Sequence, residues 1–146
     1  MKYVHTNLVA RDWRKLADFY IKVFNCTPVP PERDLKGDWL DKAVNLRDAH
    51  IMGIHLRLPG YNDGPTLEVF QYSQETDAKK FYPNTPGLGH LAFSVTDVEE
   101  TAEKIIEQGG DWVGELTRVE ISGVGVLEFA YMRDPEGNII EVQRHA

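Results

Sequence analysis

The chain has 146 residues, of which 42% are hydrophobic and 27% are charged, so it is long enough for one core or two small fused modules. Its formal net charge of -7 and its lack of a basic stripe argue against a nucleic-acid partner. Because no apolar run reaches the length of a membrane span, the first residues do not resemble a signal peptide, and Cys26 is the single cysteine, we expect a cytoplasmic protein without a membrane partner.

Hydrophobic periodicity predicts two helices and eight strands, arranged twice in the order βαβββ. In the first half the pattern predicts strands over residues 3–9, 27–29, 51–58 and 65–72, with a helix over 13–24. In the second half it predicts strands over 89–95, 112–119, 124–133 and 138–143, with a helix over 98–108. This order indicates an α+β fold rather than a doubly wound parallel sheet.

Both predicted helices begin directly after an aspartate, Asp12 and Asp97. Aspartate at this position accepts hydrogen bonds from the first free backbone N–H groups of a helix. Glu100 follows Asp97 by three residues and resembles a capping box, whereas Lys15 stands at that place after Asp12. Helical spacing predicts that the following side chains are buried: Leu16, Phe19, Tyr20 and Val23 in the first helix, and Ala102, Ile105 and Ile106 in the second.

The two halves form an internal repeat. At an offset of 85 residues His5 falls on His90, and the alignment also matches Asp12 with Asp97, Ala17 with Ala102 and Ile21 with Ile106. At an offset of 73, Leu67-Glu68-Val69 matches Ile140-Glu141-Val142, so about a dozen extra residues belong to the first half. We therefore predict a first module over 1–72 with an insertion near 31–48, a linker over 73–86, and a second module over 87–146.

Glu68 and Glu141 each stand in the middle of an otherwise apolar strand. Burying a carboxylate there is unfavourable unless a positive or hydrogen-bonding group meets it. Since the same problem occurs at the same place in both halves, the simplest common solution is a divalent cation shared with His5 and His90. The sequence therefore predicts a metal site formed by His5, Glu68, His90 and Glu141.

Residues two apart in a strand share a face, so Thr66 and Phe70 accompany Glu68, and Gln143 accompanies Glu141. These three side chains are predicted to contact a small-molecule substrate, with packing inside the sheet as the alternative for Phe70. His50 and His55 lie on opposite faces of their strand and are expected to be surface or core histidines.

With these residues in hand, the chain resembles the vicinal oxygen chelate superfamily, which includes glyoxalases, bleomycin-resistance proteins and dioxygenases. The resemblance covers essentially the whole chain and is most specific in three segments: residues 5–8, 89–95 and 133–141. It implies paired βαβββ modules that form a cup or partly open barrel around a metal. It also implies the four ligands already named and a divalent ion such as Ni²⁺, Co²⁺, Fe²⁺, Mn²⁺ or Zn²⁺.

By resemblance to glyoxalase I, the chemistry would be proton transfer next to a carbonyl, with Glu141 or Glu68 as the base and Glu141 preferred. Extradiol dioxygenases and fosfomycin enzymes have no ligand at the position of Glu68, and methylmalonyl-CoA epimerase has glutamine there. Glyoxalase I matches all four ligand types. Its glutathione-contacting arginine and asparagine are, however, replaced by Val9 and Tyr72 in this chain.

The resemblance thus favours a glyoxalase-like lyase or isomerase of a small substrate, with no clear provision for glutathione. The alternatives are an epimerase, a non-catalytic protein that binds a small planar compound, and a ring-cleaving dioxygenase. Because an open cup leaves sheet edges exposed, we also expect a homodimer.

Overall fold

The computed structural model describes residues 1–77 and 80–145; positions 78 and 79 of the predicted linker, and position 146 of the predicted second module, lie outside the described residues. The first half contains β1 (His5–Val9), α1 (Trp13–Phe24), β2 (Thr27–Lys36), α2 (Asp38–Val44), β3 (His50–Arg57) and β4 (Thr66–Tyr72). The second half contains β5 (Leu91–Ser94), α3 (Val98–Glu107), β6 (Asp111–Trp112), β7 (Thr117–Ile121), β8 (Gly125–Arg133) and β9 (Ile139–His145). The predicted α+β fold class is confirmed.

The chain divides into two compact units, Met1–Ala78 and Lys79–Ala146, each with its own sheet. The strand order is β1-β4-β3-β2 in the first unit and β5-β9-β8-β6 in the second, where β7 also pairs with β8. In each unit the first and last strands run parallel and the other pairings are antiparallel. Within the described residues neither sheet closes on itself. The helices found there are also too short or too polar to cross a bilayer.

Helix α1 has the predicted bounds and the predicted cap. The Asp12 carboxylate accepts hydrogen bonds from the backbone N–H groups of Arg14 and Lys15, which have no partner inside the helix. The apolar stripe packs against β3 and β4. All four side chains predicted to be buried on this helix are buried: Leu16, Phe19, Tyr20 and Val23.

Helix α3 begins at Val98 and is capped by Asp97 as predicted, with the Asp97 carboxylate accepting from the Glu100 N–H at 2.9 Å. The Glu100 carboxylate binds Lys104 Nζ at 2.6 Å, one turn further along the helix. Ala102 and Ile105 are buried as predicted. The prediction for Ile106 is wrong, because this side chain is 41% exposed on the outer face of the helix.

Strand β2 is longer than predicted. The sequence pattern ended this strand at Val29 because prolines follow, but the strand continues to Lys36. Its register with β3 shifts between Val29 and Arg33, so the prolines occupy a bulge. β2 is the outer strand of its sheet and pairs on one side only. The N–H groups that proline lacks therefore disturb the hydrogen bonds of a single strand pair at most. Helix α2 follows, within the segment predicted to be inserted.

The strand predicted over residues 112–119 is split into β6 and β7, both paired with β8. Trp112 pairs with Met132 and Thr117 with Phe129, so four residues of one strand (113–116) face two of the other (130–131). These two surplus residues interrupt the pairing and create a bulge.

Candidate functional site

Each predicted glutamate lies on a central strand and has a strand on either side. In the first unit Glu68 on β4 is level with Asn7 on β1 and His55 on β3. In the second unit Glu141 occupies the same place on β9, between β5 and β8. Residues that lie level on neighbouring strands share a face of the sheet, so the register brings polar side chains together around each carboxylate.

In the first unit the Glu68 carboxylate has three partners. His5 Nε2 lies 3.3 Å from Oε2, and Asn7 Nδ2 donates to the same oxygen at 3.2 Å. His55 Nε2 lies 2.9 Å from the other oxygen, Oε1. The Glu68 side chain is only 12% exposed, so these contacts replace much of the solvation that the carboxylate loses.

His55 is a site residue that the sequence prediction missed, as are Asn7 and Tyr131. Its Nδ1 lies 3.0 Å from Thr66 Oγ1, so an Nε2–H donor to Glu68 and an Nδ1 acceptor from the Thr66 hydroxyl satisfy both ring nitrogens. This arrangement fits a neutral ring. Burial lowers the pKa of His55, and the nearby charges of Arg33 and His5 act in the same direction, while Glu68 opposes them.

A signal for His55 was present in the length of the hairpins. His55 is level with Glu68, as Tyr131 is level with Glu141, so these two residues are equivalent at an offset of 76 rather than 73. The eight residues 58–65 join β3 to β4, whereas the five residues 134–138 join β8 to β9, and this difference of three accounts for the change of offset. An alignment of the two halves made strand by strand would have matched His55 with Tyr131.

In the second unit His90 Nε2 lies 3.0 Å from Glu141 Oε2, and the Glu141 side chain is again 12% exposed. His90 stands one residue before β5 rather than inside the strand. Tyr131 of β8 is level with Glu141, and its ring lies 5.2 Å from that of His90, edge to face. Burial raises the pKa of Tyr131, with further contributions from the charge of Glu141 and the hydrogen bond to it.

The three predicted substrate contacts lie near these pairs. Thr66 binds His55, as described, and Phe70 lies edge to face with His55 at 6.0 Å between ring centroids. Phe70 also belongs to a buried apolar cluster with Leu40 of α2, so packing accounts for much of its environment. Gln143 is half-buried and shares the face of Glu141. Contact of these three side chains with a substrate stays a prediction.

The donor chemistry of the two pairs suits a divalent metal ion. Each unit provides an imidazole nitrogen and a mostly buried carboxylate, and imidazole and amide groups contact these carboxylates. Borderline divalent cations accept such a set of nitrogen and oxygen ligands. No group of three histidine, cysteine, aspartate or glutamate side chains in residues 1–77 and 80–145 has the geometry of a complete metal site.

Comparison with known proteins identifies the family. Residues 2–142 match the model of the Glyoxalase/Bleomycin resistance protein/Dioxygenase superfamily, and the chain belongs to this superfamily. It is 26% identical over 141 residues to a lactoylglutathione lyase of Neisseria meningitidis serogroup A, covering 97% of this chain and 88% of that protein. The lactoylglutathione lyase of Escherichia coli O157:H7 is also 26% identical, over 142 residues, covering 97% of this chain and 91% of that protein.

Solved structures support the same fold. A glyoxalase family protein from Bacillus cereus superimposes with a TM-score of 0.80 at 18% identity, covering 98% of this chain and 91% of the other. A glyoxylase/bleomycin resistance protein/dioxygenase domain from Frankia sp. EAN1pec gives a TM-score of 0.64 at 21% identity, covering 100% and 98%. At these identities the likeness concerns the fold alone.

Proposed function

We propose that this protein is a divalent-metal-dependent lyase or isomerase of the glyoxalase type, which moves a proton next to a carbonyl group of a small substrate. The observation that carries the proposal is the repeated pair of an imidazole and a mostly buried carboxylate, His5 with Glu68 and His90 with Glu141, at matching places in both units. A protein that only stored an apolar compound would gain little from two mostly buried carboxylates at matched places.

In this proposal His5, Glu68, His90 and Glu141 hold the ion. When bound, the ion would polarise the substrate carbonyl and so acidify the neighbouring C–H group. Glu68 is held by His5, Asn7 and His55, whereas Glu141 is held by His90 and lies level with Tyr131. The less constrained carboxylate is better able to approach a carbon-bound proton, which favours Glu141 as the base.

His90 Nε2 contacts the Glu141 carboxylate at 3.0 Å, and Tyr131 is level with Glu141 on the neighbouring strand. In the first unit His55 and Thr66 form a chain of hydrogen bonds that ends at Glu68 and fixes its orientation. Glu68 would therefore act as a fixed ligand and Glu141 as the group that takes and returns the proton.

The test is exchange of a carbon-bound proton with solvent. Because the curated relatives are named lactoylglutathione lyases, the first probe is lactoylglutathione in deuterated buffer with Ni²⁺ or Co²⁺, followed by NMR of the lactoyl C–H signal. The wild-type protein should replace this proton with deuterium from the solvent. Glu141→Gln should slow the exchange by about 100-fold or more, since general base catalysis contributes about 10²- to 10⁴-fold.

His50→Ala is the matched control. His50 is also a strand histidine paired with a carboxylate, Asp34 at 2.7 Å, but it is not part of either pair described above. This variant should exchange the proton at the wild-type rate. Binding of lactoylglutathione or of related 2-oxo and thioester compounds without any exchange in the metal-loaded wild-type protein would count against the proposed chemistry.

A second candidate is a protein that binds a planar compound without changing it. The observation in its favour is an aromatic row in the second unit, in which the Tyr131 ring lies 5.2 Å from His90 and 5.7 Å from Phe129. Such a row could stack against a flat ligand. Stoichiometric binding that persists in the presence of a chelator, with the ligand recovered intact, would favour this candidate.

A further inference from the structure

The outer strands of the two sheets differ in the residue that lies beside each glutamate. β1 and β5 stand at equivalent ends of their sheets, next to β4 and β9. Asn7 of β1 is level with Glu68, and Ala92 of β5 is level with Glu141. The offset of 85 residues between the two proposed histidine ligands is also the offset between Asn7 and Ala92. The same place beside each carboxylate therefore holds an amide in the first unit and a methyl group in the second.

In the first unit this amide holds one oxygen of the carboxylate. Asn7 Nδ2 donates to Glu68 Oε2 at 3.2 Å, and His5 Nε2 lies 3.3 Å from the same oxygen. His55 Nε2 lies 2.9 Å from the other oxygen, Oε1. An imidazole nitrogen that binds a metal ion has neither a proton nor a free lone pair for a carboxylate. When His5 serves as a ligand through this nitrogen, the Asn7 amide remains as the contact on Oε2.

In the second unit the outer strand offers the carboxylate no side-chain donor. Ala92 is exposed, and its methyl group cannot form a hydrogen bond with Glu141. On the other side Tyr131 of β8 is level with Glu141, as an imidazole of β3 is level with the glutamate of the first unit. The two units therefore share a polar ring on the inner side of the glutamate and differ in the donor on its outer side.

We propose that Asn7 is a positioning residue that fixes Glu68 as a ligand, and that the alanine at the equivalent place leaves Glu141 free to act as the base. The inference rests on the proposed function, because it assigns roles at that same site. Side chains that bind a metal-ligating carboxylate set its orientation, and their loss weakens metal binding or activity about 10- to 100-fold. A carboxylate that must approach a carbon-bound proton needs the opposite property, which is freedom to turn.

The first test removes the amide and measures metal affinity. Titration of the metal-free protein with Co²⁺, followed by visible absorption, should show about 10- to 100-fold weaker binding in Asn7→Ala. Asn7→Leu fills a similar volume without a donor and should lose as much. Asn7→Gln keeps an amide on a longer side chain and should recover part of the affinity. Asn62→Ala, at an exposed asparagine between β3 and β4, should bind Co²⁺ as the wild type does.

The second test adds an amide beside the proposed base. Ala92→Asn should slow deuterium exchange of lactoylglutathione about 10- to 100-fold at saturating Co²⁺ and saturating substrate, without weakening Co²⁺ binding. Ala92→Leu adds similar bulk but no donor, so it should raise the KM and leave the rate at saturation near that of the wild type. Ala43→Asn, the same substitution at an exposed alanine of α2, should exchange at the wild-type rate.

The inference is overturned if Asn7→Ala binds Co²⁺ as tightly as the wild type, or if Ala92→Asn exchanges the proton as fast. Circular dichroism and the melting temperature show whether each variant is folded, and Asn7→Leu serves if Asn7→Ala is not. Weaker Co²⁺ binding in Asn7→Ala, with no exchange in the wild type, would refute the proposed reaction and leave Asn7 as a positioning residue. Exchange in the wild type, with unchanged Co²⁺ affinity in Asn7→Ala, would refute the role of Asn7 alone.

Discussion

Asp134 stabilises the turn that precedes β9, the strand that carries Glu141. The residue is 3% exposed and lies in the turn between β8 and β9. Its Oδ1 accepts from the backbone N–H groups of Glu136 and Asn138, both at 2.9 Å, and its Oδ2 accepts from Asn138 Nδ2 at 2.8 Å. The turn therefore closes around one carboxylate, and its last residue, Asn138, directly precedes β9.

Asp134→Ala removes all three contacts and leaves two backbone N–H groups without their acceptor. At about 1 to 1.5 kcal/mol for each net hydrogen bond, the free energy of unfolding should fall by about 3 to 5 kcal/mol. Asp134→Asn keeps an oxygen for the two backbone donors and loses the charge, so about 1 to 2 kcal/mol is expected. Urea unfolding followed by circular dichroism measures both values.

Asp63→Ala is the matched control, because the Asp63 side chain is 94% exposed and pairs with Lys2 only at 3.9 Å. This substitution should change the free energy of unfolding by less than about 0.5 kcal/mol. The reasoning would be refuted if Asp134→Ala lost less than about 1 kcal/mol or if it were no worse than the exposed control.

Three further predictions concern packing and titration. Gly53→Ala should lower the free energy of unfolding by about 1 to 3 kcal/mol, measured by urea unfolding, because the new Cβ would lie 2.1 Å from the Val69 carbonyl oxygen. Ile105→Ala should cost about 2 to 5 kcal/mol in the same assay and Ile106→Ala less than about 1 kcal/mol, since Ile105 is 0% exposed; equal losses would contradict the observed orientation of α3. Burial raises the pKa of Cys26 to about 12 from 9.0, so the folded thiol stays protonated where the unfolded thiol ionises, and stability falls as pH rises above 9. The wild type should therefore lose about 1.4 kcal/mol more than Cys26→Ala between pH 8 and 10, and equal losses would show that the thiol is accessible.

The sequence predicted the elements that depend on local chemistry. The aspartate cap and the apolar spacing specify α1, and its predicted bounds are those observed. The second strand was predicted too short, because tolerance of proline depends on its outer place in the sheet, which is a property of the whole fold. Likewise, the burial of Ile106 depends on which side of α3 faces β8 and β9, and periodicity alone does not fix that choice.

The candidate site was predicted in part. The carboxylates of Glu68 and Glu141 stand out in the sequence because a charged residue is unusual within an apolar strand. His55 does not stand out, because its role depends on the register between β3 and β4, and the register depends on the length of the hairpin that joins them. An alignment with a single offset assumes hairpins of equal length, so it does not match His55 with its equivalent residue in the second half.

The most direct test of the central claim is the number of divalent ions bound by each chain. Titration of metal-free protein with Co²⁺, followed by its visible absorption, should show about one ion per chain with nitrogen and oxygen ligands. A His5→Ala and Glu141→Gln double variant that stays folded should lose this binding, and His50→Ala should keep it. Wild-type protein that takes up no Co²⁺, Ni²⁺ or Zn²⁺, or a double variant that binds as tightly as the wild type, would contradict the account.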